Sequence, residues 1–303
     1  MEYEKGMESA WYPWLAAMPR KWNTAVSMDE FCLSCLPPFI KSLCIKERDQ
    51  LAAFREGLQP FQYLSPQTKA NDELLKFAYN VVASRAVPSH NGFNLVPFGD
   101  MFNYGYPGNV ALNFDEVGNC QAILTQDVPP GAPLLMNYGQ PENPSRFLSV
   151  YGFLDEPPAT YCKLVIPNPS KEILDIGYHP SRLLFYTENG GISPEVWDVM
   201  LYSKLERKSE WEHYRQAFYN AHMSGDQNTK SQIHMEFQKF TVSWLLTHVN
   251  GILAEIAELA VKMNAYDSSK HPRLPLLRKH NNLVASTFQK VRANLEQMKA
   301  SMQ

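Results

Sequence analysis

A change of residue composition and pattern in the middle of the chain constrains the fold most. From Pro88 to Phe153 the sequence is rich in glycine, proline and asparagine and carries only short apolar runs. The clearest apolar runs are 94–96, 111–114, 122–124 and 134–136. Short runs bounded by turn-forming residues are typical of short strands joined by tight turns. The turn-rich residues 115–119 lie between two of these runs and predict a hairpin.

Helical patterns lie on both sides of this strand-rich segment. Before it, apolar residues recur at helical spacing over 73–86, with Asn71 or Asp72 as the N-cap. After it, the pattern is helical from about residue 192, with a long apolar stripe from Trp244 to Met263. A loop is expected over 268–275, followed by a last helix over 283–298. The order of helices, strands and helices predicts an α+β fold.

The composition and net charge argue against nucleic acids and membranes as binding partners. The chain has 303 residues, enough for one large domain or two ordinary ones, and its 45% hydrophobic and 19% charged content is typical of a globular protein. The formal net charge of -3 provides no basic footprint for nucleic acid. No uninterrupted apolar run is long enough to span a bilayer, so no membrane partner is expected. Residues 1–5 are charged and mixed in sign, unlike a targeting segment, which predicts a cytoplasmic or nuclear protein.

The cysteines and histidines suggest neither disulfides nor a metal. Five cysteines in a chain of this length suit a reducing compartment. Cys32 and Cys35 form a C-x-x-C, which is either a redox pair, half of a zinc site, or two small apolar residues of a helix over 28–36. Because no second pair follows at zinc spacing, the last interpretation is favoured. Five histidines are scattered through the C-terminal helical part at no ligand spacing: His213, His222, His234, His248 and His271.

Several motifs stand in a fixed order in and beside the strand-rich segment. Residues 84–86 read S-R-A, 94–104 read N-L-V-P-F-G-D-M-F-N-Y, and 131–139 read G-A-P-L-L-M-N-Y-G. Asn143 and then Y-G-F at 151–153 follow. Together they resemble the SET domain of the Rubisco lysine methyltransferase-like class, which carries S-R-A-F, L-x-P-x-x-D-x-x-N-H, G-E-x-x-x-x-Y-G and N-x-x-L-x-x-Y-G-F. Each motif alone is weak, but the ordered combination is specific.

The resemblance covers most of the chain. Residues 9–19 resemble the S-x-W-x-P-Y-x-x-x-L-P stretch of the helical insert of that class, and the helices around 273–276 resemble its all-helical substrate-binding domain. The implied architecture is a SET domain at 1–160 followed by a helical substrate-binding domain at 161–303. Within the first, insert helices occupy 1–86 and the C-terminal strands of the SET fold occupy 87–160.

The resemblance implies a protein methyltransferase that uses S-adenosylmethionine and acts on a lysine, or alternatively a histidine, of a protein substrate. Tyr138 matches the catalytic tyrosine of the class. A buried phenol does not titrate near pH 7, so its hydroxyl can orient both the amine and the methyl group. Tyr151 and Phe153 match positions that enclose the substrate lysine, where apolar contact and cation–π attraction hold its stem.

The cofactor contacts follow from the same matches. Arg85 matches an arginine that pairs with the cofactor's carboxylate, a task that suits a guanidinium. Asn103 and Tyr104 stand where the N-H pair of the class holds the adenine and amino groups, and Asp100 fixes the turn beside them. Judged alone, the same residues have plainer roles, as core aromatics, a cation at a helix C-terminus and a turn former.

The sequence departs from the class at three places. Tyr104 replaces the histidine of the N-H pair, and Ala132 replaces the glutamate after Gly131. Residues 1–10 do not resemble the strand segment, with its glycine-bearing cofactor loop, that opens the SET domain in this class. We therefore expect that a longer form of the protein or a partner chain supplies those strands, or that the chain is a non-catalytic protein-binding derivative. Unpaired sheet edges would favour association and leave the oligomeric state open.

Overall fold

The computed structural model describes residues 2–89, 92–139, 147–154, 160–161, 164, 166, 168–179 and 182–302. The α+β class predicted from the sequence is confirmed. The chain divides into two compact units. The strand-bearing unit comprises Met1–Leu33, Ile40–Pro141 and Ser145–Leu154, and the helical unit comprises Ser34–Phe39, Glu142–Pro144 and Asp155–Gln303.

The helices that precede the strands end at the candidate site. They are α1 Tyr12–Ala17, α2 Glu30–Ser34, α3 Pro38–Leu58, α4 Pro66–Ala70 and α5 Asp72–Arg85. The side chain of Asn71 accepts a hydrogen bond from the Leu74 amide at 3.0 Å and caps α5, as one of the two predicted caps. Arg85 occupies the last turn, where the helix dipole favours a cation.

The helix that carries the C-x-x-C is shorter than predicted. It covers Glu30–Ser34 rather than 28–36, because Asp29 caps it by accepting a hydrogen bond from the Cys32 amide at 2.7 Å. Cys32 and Cys35 are both buried, and neither forms a disulfide with another described residue. These surroundings agree with two small apolar residues in a core.

Short strands follow the helices in the strand-bearing unit. Its sheets contain β1 Ala86–Ser89, β2 Gly92–Leu95, β3 Asn103–Tyr104, β4 Val110–Phe114, β5 Cys120–Leu124 and β6 Leu135–Met136. The first two strands pair with each other, and the other four form one sheet in the order β3-β6-β4-β5. The predicted hairpin at 115–119 is confirmed, since Phe114 pairs with Cys120 and Asp115 accepts hydrogen bonds from the Val117 and Asn119 amides.

The pairing of β3 with β6 brings two motifs together. These strands run parallel, with Asn103 opposite Leu135 and Tyr104 opposite Met136. A Cβ on Gly108 would lie 2.7 Å from the backbone nitrogen of Asn137, so only glycine allows the chain to pass this close. The sheet therefore holds the residues that follow Met136 beside the N-Y pair.

The helical unit is built on two long helices. Its elements are β7 Thr160–Tyr161, α6 Lys171–Asp175, β8 Phe185–Tyr186, α7 Pro194–Leu205, α8 Glu212–Ser224, α9 Gln227–Glu236, α10 Gln238–Asn264 and α11 Leu274–Ser301. Helices α10 and α11 pack along each other and bury Val249, Ile256, Val284 and Phe288. The last helix begins earlier than the predicted residue 283, because Pro275 fits in its first turn, where a missing N–H costs nothing.

The segment Ser34–Phe39 belongs to the helical unit although it lies far from the rest of it in sequence. The side-chain amide of Asn281 donates to the Cys35 carbonyl at 2.9 Å. The Lys262 ammonium donates to the Ser34 hydroxyl at 2.7 Å. These contacts join residues that the sequence predicts to lie in the insert helices 1–86 with α10 and α11.

Helix α10 meets the length and composition criteria of a membrane span, with a mean hydropathy of 1.2. The sequence shows no uninterrupted apolar run of that length, but hydropathy averaged over 18 residues of this helix reaches the criterion. Core helices meet the same criteria, so a single such helix is weak evidence of a membrane segment.

Candidate functional site

Tyr138 occupies a defined position just after β6. Its hydroxyl donates a hydrogen bond to the Phe102 carbonyl at 2.6 Å, which fixes the ring beside β3. The rings of Tyr104 and Tyr151 lie 5.5 and 5.1 Å away, centroid to centroid. Burial, and next the neighbouring Tyr151, raise the pKa of Tyr138 above its usual value. The hydroxyl therefore stays protonated at neutral pH, and its oxygen can still accept a hydrogen bond while its proton is donated to the Phe102 carbonyl.

An aromatic cluster surrounds this tyrosine, consisting of Tyr104, Tyr138, Phe147, Tyr151 and Phe153. Tyr104 lies 4.6 Å from Phe147 and 5.9 Å from Phe153, and the rings of Phe147 and Phe153 stack at 5.3 Å. Phe147 is fully buried, whereas the other members keep part of their surface exposed. The cluster thus presents partly exposed rings from a fixed apolar base.

The glycine of the Y-G-F motif is required by packing. Gly152 has a φ of +75°, and a Cβ on it would lie 2.7 Å from the backbone carbon of Asn23. Any side chain would meet both the unfavourable backbone conformation and this contact. Gly152 therefore lets the chain turn after the π-helix Phe147–Tyr151 and brings Tyr151 and Phe153 into one cluster.

Arg85 and Asp100 form the charged part of the site. The Arg85 Nη1 donates to the Asp100 carbonyl at 2.8 Å and lies 3.3 Å from its Oδ2. The Trp14 indole N–H donates to the same Oδ2 at 3.1 Å. The Asp100 side chain is completely buried, and the Arg85 side chain is 18% exposed. The Asp100 carboxylate thus fixes Arg85, a contact that the sequence did not predict, in addition to standing in its turn.

This pair keeps unused hydrogen-bonding capacity. The Arg85 Nε and the Asp100 Oδ1 are both buried and have no hydrogen-bond partner among the described residues. Buried polar atoms are usually paired, and the exceptions often mark a place where a ligand or water completes the network. The Arg85 guanidinium also lies over the Trp22 ring, 6.0 Å from its centroid, which favours a fixed cation at this point.

Two clefts of the strand-bearing unit meet at these residues. The larger has a volume of about 760 Å³ and apolar walls that include Val87, Val110 and Met136. The smaller, of about 440 Å³, is lined by the N-Y pair and by aromatic side chains. Five residues line both clefts: Ser84, Arg85, Asp100, Tyr138 and Tyr151.

The structure brings together every site residue predicted from the sequence. Arg85, Asp100, Tyr138 and Tyr151 line both clefts, and the smaller cleft adds the remaining three, Asn103, Tyr104 and Phe153. The predicted cofactor and substrate sets are not spatially separate, because Phe153 lies with the N-Y pair. Trp14 and Trp22 were missed. Trp14 stands in the tryptophan-proline stretch near residue 11, but no local pattern connects either residue with a contact so distant in sequence.

A second polar cluster, in the helical unit, was also missed. The Asp198 carboxylate accepts a hydrogen bond from Lys230 at 2.5 Å and lies 2.8 Å from the Nε2 of His234. Burial opposes ionisation of Asp198, but the bonds from His234 and Lys230 outweigh it and hold its pKa below the usual value. Burial, and next the charge of Lys230, lower the pKa of His222. His222 and His234, whose spacing in the sequence shows no ligand pattern, therefore belong to one network with Lys230.

Neither models of known protein families nor curated proteins show a match to this sequence. Solved structures do match over nearly its whole length. Rubisco LSMT bound to sinefungin and monomethyllysine is 14% identical, with a TM-score of 0.65 over 99% of this chain and 74% of that one. The SET domain of LSMT bound to lysine and AdoHcy gives 14%, 0.63 and the same coverage. Rubisco LSMT bound to AdoMet gives 15% and 0.58, over 97% of this chain and 72% of that one.

Such low identity establishes the fold alone. The three structures agree on it, and they cover both the strand-bearing unit and the helical unit. The resemblance that the ordered motifs predicted is thereby confirmed at the level of architecture. This chain has the Rubisco LSMT-like SET methyltransferase fold.

Proposed function

We propose that the protein is an S-adenosylmethionine-dependent methyltransferase that acts on a lysine side chain of a protein substrate. The observation that carries this proposal is the position of Tyr138. Its hydroxyl is fixed by the Phe102 carbonyl, its ring belongs to the aromatic cluster, and it lines both clefts. The LSMT structures of the same fold were determined with AdoMet, AdoHcy or sinefungin, and two of them with lysine or methyllysine.

For methyl transfer, the protein mainly has to align the amine with the methyl group and exclude water. S-adenosylmethionine supplies, when bound, an electrophilic methyl group on a sulfonium. Tyr138 can orient an incoming amine by hydrogen bonding, because its raised pKa keeps the phenol neutral. The ring faces of Tyr151 and Phe153 suit the apolar stem and the cationic end of a lysine. Enclosure by the cluster would also shield the transfer from water.

The charged residues fit the amino-acid part of this cofactor. An α-amino acid carries one carboxylate and one ammonium, and the site offers one cation and one anion. Arg85 retains a buried Nε without a partner among the described residues, which suits a carboxylate. Asp100 likewise retains an unused carboxylate oxygen, which suits an ammonium. Arg85, Asp100 and the N-Y pair at Asn103 and Tyr104 are the residues that would hold the cofactor.

Titration calorimetry of the full chain with S-adenosylmethionine and with its demethylated product tests the cofactor. Weak binding is expected, because residues 1–10 do not resemble the segment that carries the glycine-bearing cofactor loop, and Arg85→Met should weaken it further, at least tenfold, by loss of a charge-assisted hydrogen bond. Arg48→Met is the matched control, because Arg48 pairs with Glu30 at the surface and lies outside both clefts. A thermal melt of each variant separates loss of binding from loss of folding. Absence of binding by a folded protein would favour either the non-catalytic protein-binding module or a cofactor site that needs a longer form of the protein or a partner chain.

Transfer of a labelled methyl group to fractionated proteins tests the reaction itself. Mass spectrometry of the labelled product then locates the modified atom. A methylated lysine is expected, since the cluster offers ring faces to a long apolar stem ending in a cation. A methylated histidine would keep the reaction class and change the acceptor.

A further inference from the structure

A small pocket of the helical unit lies between the C-terminal half of α7 and the N-terminal half of α10. Its volume is about 300 Å³, and its lining includes Lys204, Arg207, Trp244 and His248. It shares no residue with the two clefts of the strand-bearing unit. Its lining residues are therefore distinct from those proposed to carry out methyl transfer.

The charges around this pocket are unbalanced. Neither Lys204 nor Arg207 has a carboxylate within ion-pair distance in the part of the chain that the structure describes. Neighbouring cations differ, since Lys208 lies 3.6 Å from Glu210 and Lys230 lies 2.5 Å from Asp198. Burial, and next the charge of Arg207, lower the pKa of Lys204, which is the response of a cation that lacks a counter-ion.

The pKa of His248, which also lines the pocket, is consistent with the same excess of positive charge. His248 stacks on Phe185, and its Nε2 is buried without a hydrogen-bond partner among the described residues. Burial, and next the charge of Lys204, lower its pKa to about 4. The imidazole therefore stays neutral, and its proton affinity is sensitive to any charge placed beside Lys204.

We propose that this pocket binds an oxyanion, a carboxylate or phosphate group, between Lys204 and Arg207. Two unpaired cations with no facing carboxylate suit such a group, and a pocket of this size holds one acidic side chain or one phosphate. The acidic balance of the whole chain, -3, gives a polyanion such as nucleic acid no further footprint.

The surface next to the pocket favours a peptide as the source of the anion. The Lys204 ammonium lies 5.8 Å from the centre of the Trp244 ring, and that ring stacks at 6.0 Å on Phe240, which is 52% exposed. An acidic residue followed by an apolar one could therefore place its carboxylate on the cations and its neighbour on the rings.

Titration calorimetry of the full chain with two probes tests the proposal. One probe is inorganic phosphate, and the other is a short peptide of glutamate and leucine, with a glutamine-leucine peptide as its neutral match. Lys204→Gln and Arg207→Gln should each weaken binding about tenfold, by loss of one charge-assisted contact. Lys208→Gln, which removes a nearby cation already paired with Glu210, should change it less than about twofold. Binding should also raise the pKa of His248, followed by NMR of its ring.

Each possible result of these titrations supports or overturns the proposal. Tighter binding of the glutamate peptide than of phosphate supports an acidic protein segment as the ligand, and the reverse supports a free anion. Equal binding of the glutamate and glutamine peptides, or binding that both Lys204→Gln and Arg207→Gln leave unchanged, would overturn the proposal. So would the absence of binding by either probe at millimolar concentration, whether or not the protein transfers methyl groups.

Discussion

The two units of this protein are stabilised in different ways. In the helical unit, large side chains such as Tyr202, Phe218 and Phe288 are completely buried on regular helices. In the strand-bearing unit, the candidate site uses strands of a few residues, a π-helix and partly exposed rings. Its geometry depends on single polar contacts, such as that of Tyr138 with the Phe102 carbonyl. Changes in the helical unit should therefore alter stability first, and changes at the candidate site should alter activity first.

The largest expected effect tests the activity side of this comparison. If the protein transfers methyl groups, Tyr138→Phe should lower turnover about 100-fold or more, because the hydroxyl acts on the reacting groups. Cofactor affinity should hardly change, since the ring and its packing remain, and loss of the bond to the Phe102 carbonyl should lower the free energy of unfolding by only about 1 kcal/mol. Steady-state kinetics and calorimetry measure the two quantities. Tyr63→Phe, at a tyrosine that is 79% exposed, is the control. Equal turnover of Tyr138→Phe and the parent would place the catalytic tyrosine elsewhere.

The features of the fold that the sequence predicted correctly are those determined by a local pattern of residues. The cap at Asn71, the hairpin at 115–119 and the apolar stripe of α10 depend on neighbours within a turn or two. The contact of Trp14 with Asp100 joins residues 86 positions apart, and no local pattern encodes it. The ordered motifs predicted residues that lie together around two clefts, because the resemblance carries information from a fold already built.

The charged clusters could not be predicted from the sequence for the same reason. Lys230 and His234 are four positions apart on one helix, a spacing that places them on one face. The sequence does not show that Asp198 of another helix faces them, so it could not distinguish this network from scattered surface histidines. For the same reason, the unpaired cations of the α7–α10 pocket become visible only when every neighbour is placed.

The stability side of the comparison is tested by a core deletion in the helical unit. Phe288→Ala should lower the free energy of unfolding by about 4 kcal/mol, because it leaves a cavity between packed helices. Phe240→Ala, at a half-exposed ring of α10, should cost less than about 1 kcal/mol. Urea unfolding of both variants measures the difference. Similar losses for the two would mean that the helical unit is not packed as the structure shows.

A pH series tests whether His248 is buried as a neutral group. Its pKa is about 4 in the folded protein, against an ordinary 6.5, so between those values the unfolded chain binds a proton that the folded protein does not. The free energy of unfolding should therefore decrease as pH falls from about 6.5 to 4, with this residue contributing up to ~3 kcal/mol. His248→Phe should flatten that dependence, and His213→Gln, at an exposed histidine, should not. Parallel pH profiles for the parent and His248→Phe would refute the burial.

The smallest expected effect asks whether the charged pair of the site is a structural or a functional feature. Asp100→Asn keeps the shape of the side chain and leaves Arg85 without its counter-ion, at a cost of about 2 kcal/mol in the free energy of unfolding. The cost is moderate because the Arg85 side chain is 18% exposed. Asp72→Asn breaks an exposed pair with Arg55 and should cost less than about 1 kcal/mol. If Asp100→Asn weakens cofactor binding by much more than its loss of stability accounts for, the carboxylate also contacts the ligand. If binding is unchanged in the folded variant, Asp100 only positions its neighbours, and the site depends on Arg85 alone for charge.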